Sequence, residues 1–151
     1  MSQTQTIDRR ALFATVAPDD LLGFYEGGSF KPKSVAEFLT LKNSDVSRAT
    51  AVSRNSVRYD DAIPQPMRER LTEIANICNL VARHFDGDRQ KTALWFTTKN
   101  PMLGDISPRD MIRFGRYDKL RRFVVNALID DQAVRRARMP AKKQKLESAL
   151  A

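Results

Sequence analysis

The stretch Gln65-Pro-Met-Arg-Glu-Arg-Leu-Thr-Glu-Ile-Ala-Asn-Ile-Cys-Asn-Leu-Val-Ala-Arg-His-Phe85 decides the fold class. Met67, Leu71, Ile74, Cys78, Val81 and Phe85 recur at alternating steps of four and three. That spacing lays one apolar stripe along a helix of about six turns, and its mean step near 3.5 suits packing against another helix. Arg68, Glu69, Glu73 and Arg83 fall on the opposite face, and Pro64 and Pro66 mark the start. The stripe reads as a core face or a dimer seam rather than a ligand groove. Cys78 lies within it and reads as plain core, and His84 as a helix-end or surface residue.

Downstream, Asp88 is placed to cap a helix through Lys91 to Phe96 that buries Leu94 and Trp95, stopping before Pro101. Ser107-Pro-Arg-Asp110 is a second start signal, with Ser at the N-cap and Pro at the first helical position. Met111, Ile112 and Phe114 are that helix's apolar content, and Gly115 is its stop. A last helix spans Tyr117 to Asp130, with Leu120, Phe123, Val124, Ala127 and Leu128 on one face. Upstream, Ser34-Val-Ala-Glu37 has the pattern of a capping box, Ser44 is placed to cap a helix over Asp45 to Thr50, and Ser53 one that starts at Arg54. A helical pattern over Ile7 to Val16 and the breaker-rich Pro18 to Pro32 make the first 33 residues a peripheral segment. No convincing alternating strand stands out, so the chain reads as all-α.

The 151 residues carry 26 Lys and Arg against 18 Asp and Glu, a net charge of +8. Partitioned, residues 1–60 contribute +1, residues 61–110 zero, and residues 111–151 the remaining +7. The surplus peaks in Arg135, Arg136, Arg138, Lys142, Lys143 and Lys145, the core of a basic tail over residues 131–151. That tail reads as a solvated segment, a phosphate-binding arm or an arm that docks on a partner protein. One Cys and one His leave no zinc-finger pattern and no internal disulfide. With no Gly-rich phosphate loop and no Ser/His/Asp set, neither enzymatic activity nor a cofactor is expected. The polar N-terminus and the lack of an apolar run near 18 residues point to a cytoplasmic protein without membrane spans.

Residues 46–59, Val-Ser-Arg-Ala-Thr-Ala-Val-Ser-Arg-Asn-Ser-Val-Arg-Tyr, have the spacing of a helix-turn-helix. Ser47 supplies a small residue where two helices cross, Ala51 the turn and Val57 an apolar contact back onto the first helix. On this reading Arg54 to Tyr59 is the second helix. Ser53, Arg54, Asn55, Ser56 and Arg58 would then face DNA, since Arg and Asn suit base edges and Ser suits phosphate. The plain alternative is a helical hairpin with a polar face.

Trp95-Phe-Thr-Thr-Lys-Asn-Pro-Met-Leu-Gly-Asp-Ile-Ser-Pro-Arg-Asp-Met-Ile-Arg-Phe-Gly115 resembles the C-terminal domain of the Xre/MbcA/ParS antitoxins. Trp95, Asn100, Pro101, Leu103, Gly104, Ser107, Pro108 and Gly115 match that family's pattern in type and spacing, while Asp105 stands where a second Gly often follows. The resemblance covers residues 34–130. It implies a homodimeric type II antitoxin that pairs with a RES-domain toxin, an NAD-consuming relative of ADP-ribosyltransferases. It further implies that the antitoxin occludes the toxin's active site and binds its own operator DNA. The chain would then divide into a helix-turn-helix part at 34–63 and a dimerisation and toxin-binding domain at 64–130. The motif residues would shape the toxin-binding domain rather than perform chemistry. A second hypothesis is a stand-alone helix-turn-helix regulator whose C-terminal domain serves dimerisation.

Overall fold

In the computed structural model, which describes residues 20–138, Pro32 opens the first helix, α1 (Pro32–Phe38). Proline's fixed φ and missing N–H suit a first helical turn, so the helix starts two residues before the expected Ser34 cap. Ser34 lies inside it and its hydroxyl donates to the Lys31 carbonyl at 2.5 Å. Helix α2 (Asn43–Thr50) likewise starts ahead of Ser44, because the Asp45 carboxylate reaches back to accept the Lys42 backbone N–H at 3.0 Å. A 3-10 turn, η1 (Arg54–Ser56), precedes the long helix α3 (Gln65–His84). Then come α4 (Arg89–Thr97), the 3-10 turn η2 (Pro101–Leu103), α5 (Pro108–Arg113) and α6 (Tyr117–Arg138). The architecture is all-α, with one small antiparallel ladder of β1 (Tyr25–Glu26) and β2 (Ser29–Phe30). No helix among the described residues is long and apolar enough to cross a membrane.

Met67, Leu71, Ile74, Cys78 and Val81 of the α3 stripe are buried, and Phe85 is half-buried just past the helix. Each fully buried Met, Leu, Ile or Val side chain contributes about 1.5–3 kcal/mol relative to exposure. Helices α1, α2 and α4 pack on α3, and α5 packs on α2 and α4. Burial pushes the Cys78 thiol far up, so it stays protonated and inert at neutral pH.

The breaker-rich segment is not wholly peripheral. Leu22 and Phe24 are buried, and Asp20 folds back to accept the N–H groups of Phe24 and Tyr25 at 2.9 and 2.7 Å. The amide of buried Asn79, on α3, holds this turn by accepting from Leu22 N–H and donating to Asp20, both at 3.1 Å. Gly27 and Gly28, both at positive φ, make the tight turn between β1 and β2. Phe24 meets Phe38 edge-on at 5.7 Å, and Phe38 meets Phe96 at 6.3 Å. A chain of aromatic rings thus ties this segment to α1 and α4.

Two compact units are distinguished, one reaching Leu120 and the other beginning at Arg121. The described part of the second is the continuation of α6. It stays helical through Arg138, eight residues past the expected end at Asp130.

Candidate interaction site

The sequence from Trp95 to Gly115 folds as a helix, a tight loop and a second helix, with nearly every motif residue in a definite backbone role. Asp88 caps α4 by accepting Lys91 N–H at 3.0 Å. Thr92 and Phe96, one turn apart, are the buried positions. Leu94, expected in the core, is 65% exposed, and Trp95 is half-buried with its ring 5.0 Å from Phe96. The reason is rotational: a helix this short buries the Thr92–Phe96 edge, and Leu94 lies away from it.

Beyond α4, Asn100 organises the loop. Its side chain accepts Met102 N–H at 2.9 Å, its N–H donates to the Ile106 carbonyl, and its own carbonyl accepts from Asp105 N–H, each at 3.1 Å. Pro101 opens η2, Leu103 plugs into the core, and Gly104 takes the left-handed conformation that ends the turn (φ +81°). Asp105 follows at φ +60°, also left-handed, which is the backbone reason a second Gly suits that place. Buried Ser107 caps α5 by accepting Asp110 N–H at 3.1 Å, and Pro108 fills the first helical position. Gly115 at φ +74° stops the segment, and Arg116 N–H returns to the Met111 carbonyl at 2.8 Å.

A polar network unseen in the sequence fixes α5 against α1 and α2. The Arg109 guanidinium donates to the Leu39 and Thr40 carbonyls at the end of α1. Arg113 bridges Asp110 at 2.9 Å and Asp45, buried on α2, at 3.0 Å. Burial alone would raise the Asp45 carboxyl, but the Lys42 N–H and the Arg113 guanidinium outweigh it and hold it below the ordinary carboxylate range. The Asp110/Arg113 spacing of three was the available signal; the long-range half, to residues 39–45, carries none.

The segment read as a helix-turn-helix is only half formed. Its first helix and turn are present: Val46 is buried, the Ser47 hydroxyl donates to the Val52 carbonyl at 2.5 Å, and Ala51 is left-handed at φ +56°. The second helix, expected over Arg54 to Tyr59, is instead the single turn η1, and Val57 is already extended. The residues explain this. Ser53 and Ser56 bond each other at 2.7 Å, and Val57 and Tyr59, only half-buried, give a helix too little apolar surface. Ser53, Arg54, Asn55 and Ser56 are therefore exposed on a turn, not presented from a recognition helix. Arg58 is taken up by Asp60 through two bonds at 2.7 and 2.5 Å, which raise its own pKa and lower that of Asp60. Because Ala51 carries a Cβ in left-handed geometry, Ala51→Gly is expected to stabilise the fold by about 0.5–1 kcal/mol, read from the urea midpoint.

Of the basic tail, Arg135, Arg136 and Arg138 lie on the helical backbone of α6, with Arg136 exposed; Lys142 and Lys143 lie outside the described residues. No known protein family, curated protein or solved structure matches the chain.

Proposed function

We propose that this protein is the antitoxin of a type II pair, neutralising a RES-type NAD-consuming toxin by covering its active-site entrance. As a homodimer in the cytoplasm it would also regulate its own operon by binding operator DNA. The observation that carries this reading is the Trp95–Gly115 segment. Its Asn, Pro, Gly and Ser residues are spent on caps and turns, while three large apolar side chains in or beside it, Leu94, Met102 and Phe114, are exposed. Leu94 is 65% and Met102 79% exposed. A segment built so tightly for shape, with apolar groups left on its solvent side, supports docking against a protein rather than catalysis.

Co-expression with the candidate toxin is the test, followed by co-purification and an NAD-depletion assay. The antitoxin is expected to co-purify and to spare NAD. Leu94→Glu with Met102→Glu is expected to break the complex and restore NAD loss while the helical circular dichroism stays unchanged. Failure of the native pair to associate, with NAD loss unaffected, overturns the reading and leaves a DNA-binding regulator as the alternative. The DNA-binding half does not rest on a recognition helix, since Arg54 to Ser56 form a single turn.

A further inference from the structure

The corner where α2 meets the α5–α6 junction carries cations that no acid among the described residues pairs with. The Arg48 carbonyl lies 3.4 Å from where a Cβ on Gly115 would stand, so the backbones bearing Arg48 and Arg116 are in contact. Arg48, Arg116 and Lys119 are all exposed, and none of them forms an ion pair among the described residues. The acids of α2, α5 and the first turn of α6 are already engaged. Asp45 and Asp110 are held by Arg113, and Asp118 by Arg70 at 3.4 Å. No acid occurs between Asp45 and Asp60, and Arg54 stands exposed on the turn that packs against α2.

We propose that Arg48, Arg116 and Lys119, with Arg54 at the margin, form a docking surface for the sugar–phosphate backbone of duplex DNA. The surroundings favour a phosphate polymer over an acidic protein. Ser44, Ser53, Asn55 and Ser56 are exposed hydrogen-bonding groups on α2 and η1, suited to phosphate oxygens. Phe114, 46% exposed, is a single ring rather than the apolar centre that a protein interface needs. Recognition here is of backbone charge, so it positions the protein on DNA without reading sequence. The inference deepens the DNA-binding half of the proposed function and is independent of the toxin half.

The test uses the full chain and a fluorescein-labelled duplex of about 20 base pairs, followed by anisotropy from about 50 to 200 mM salt. The variant Arg48→Ala/Arg116→Ala/Lys119→Ala is expected to weaken binding by about tenfold or more and to reduce the log–log salt slope by about 2–3. Lys33→Ala/Lys91→Ala/Lys99→Ala removes the same charge from exposed positions elsewhere in the chain and is expected to keep most of the affinity and slope. Equal losses in the two variants, or none in the first, overturn the surface while DNA binding itself stands. A native chain that ignores the duplex but binds polyglutamate makes the corner a dock for acidic protein; this overturns the surface and the DNA-binding half together. Neither outcome touches co-purification with the toxin.

Discussion

Replacing Phe96 by Ala is expected to destabilise the protein by about 3–5 kcal/mol, a drop of roughly 10 °C or more in melting temperature. The ring is fully buried and sits between two other aromatic groups, Trp95 at 5.0 Å and Phe38 at 6.3 Å, both edge-on. Its removal forfeits buried apolar area, leaves a cavity that the surrounding helices close only in part, and breaks two ring contacts. It also cuts the link running from Phe24 through Phe38 to α4. Leu94→Ala, two residues away and 65% exposed, is expected to change stability by less than about 0.5 kcal/mol. Thermal melts of the two variants side by side check both numbers. A cost for Phe96→Ala under about 1 kcal/mol would place α4 in the wrong rotation about its axis.

Arg113→Ala is expected to cost about 1–3 kcal/mol at neutral pH and very little in acid. The guanidinium is partly exposed, but its partner Asp45 is buried and would be left with the Lys42 N–H as its remaining donor. The sign follows from Asp45, whose folded-state carboxyl is held below its ordinary value. A depressed carboxylate stabilises the fold above its unfolded pKa of about 3.9 and loses that contribution as pH falls through the lower folded value. Native protein and variant should therefore differ most above about pH 5 and converge as Asp45 protonates. Urea midpoints measured across that window give the result. A gap that persists unchanged into strong acid would show that Arg113 acts through its hydrophobic stem or through Phe114 rather than through the carboxylate.

Local signals carried much of the fold. The stripe from Met67 to Val81, the Asp88 and Ser107 caps and the Gly115 stop are written within a turn or two of where they act, and the structure has each of them. Short helices were less legible. In α4 the choice between burying Leu94 and burying Phe96 depends on neighbours from α1, which periodicity over nine residues does not encode. The starts of α1 and α2 shifted because Pro32 and Asp45 outcompeted nearby serines that looked equally suitable as caps. The role of Phe24 and Asn79 was hidden by breakers on one side and by a polar residue in a helix on the other. The pairing of Asn79 with the Asp20 turn spans nearly sixty positions. The Tyr25-Glu-Gly-Gly-Ser-Phe30 pattern was a usable hairpin signal for the small ladder. At the candidate site, the Asn100 and Ser107 contacts are local and could be read directly. The second helix of the helix-turn-helix could not, since spacing alone does not say whether a segment has enough apolar surface to stay helical.

Trp95 is the chain's single tryptophan, half-buried against Phe96 and one residue from exposed Leu94. The protein therefore carries its own fluorophore at the edge of the surface proposed to meet the toxin, and nowhere else. Emission excited in the indole band reports on that edge without a label. An intensity or wavelength change on complex formation separates docking at this edge from docking elsewhere, provided the partner's own tryptophan signal is subtracted.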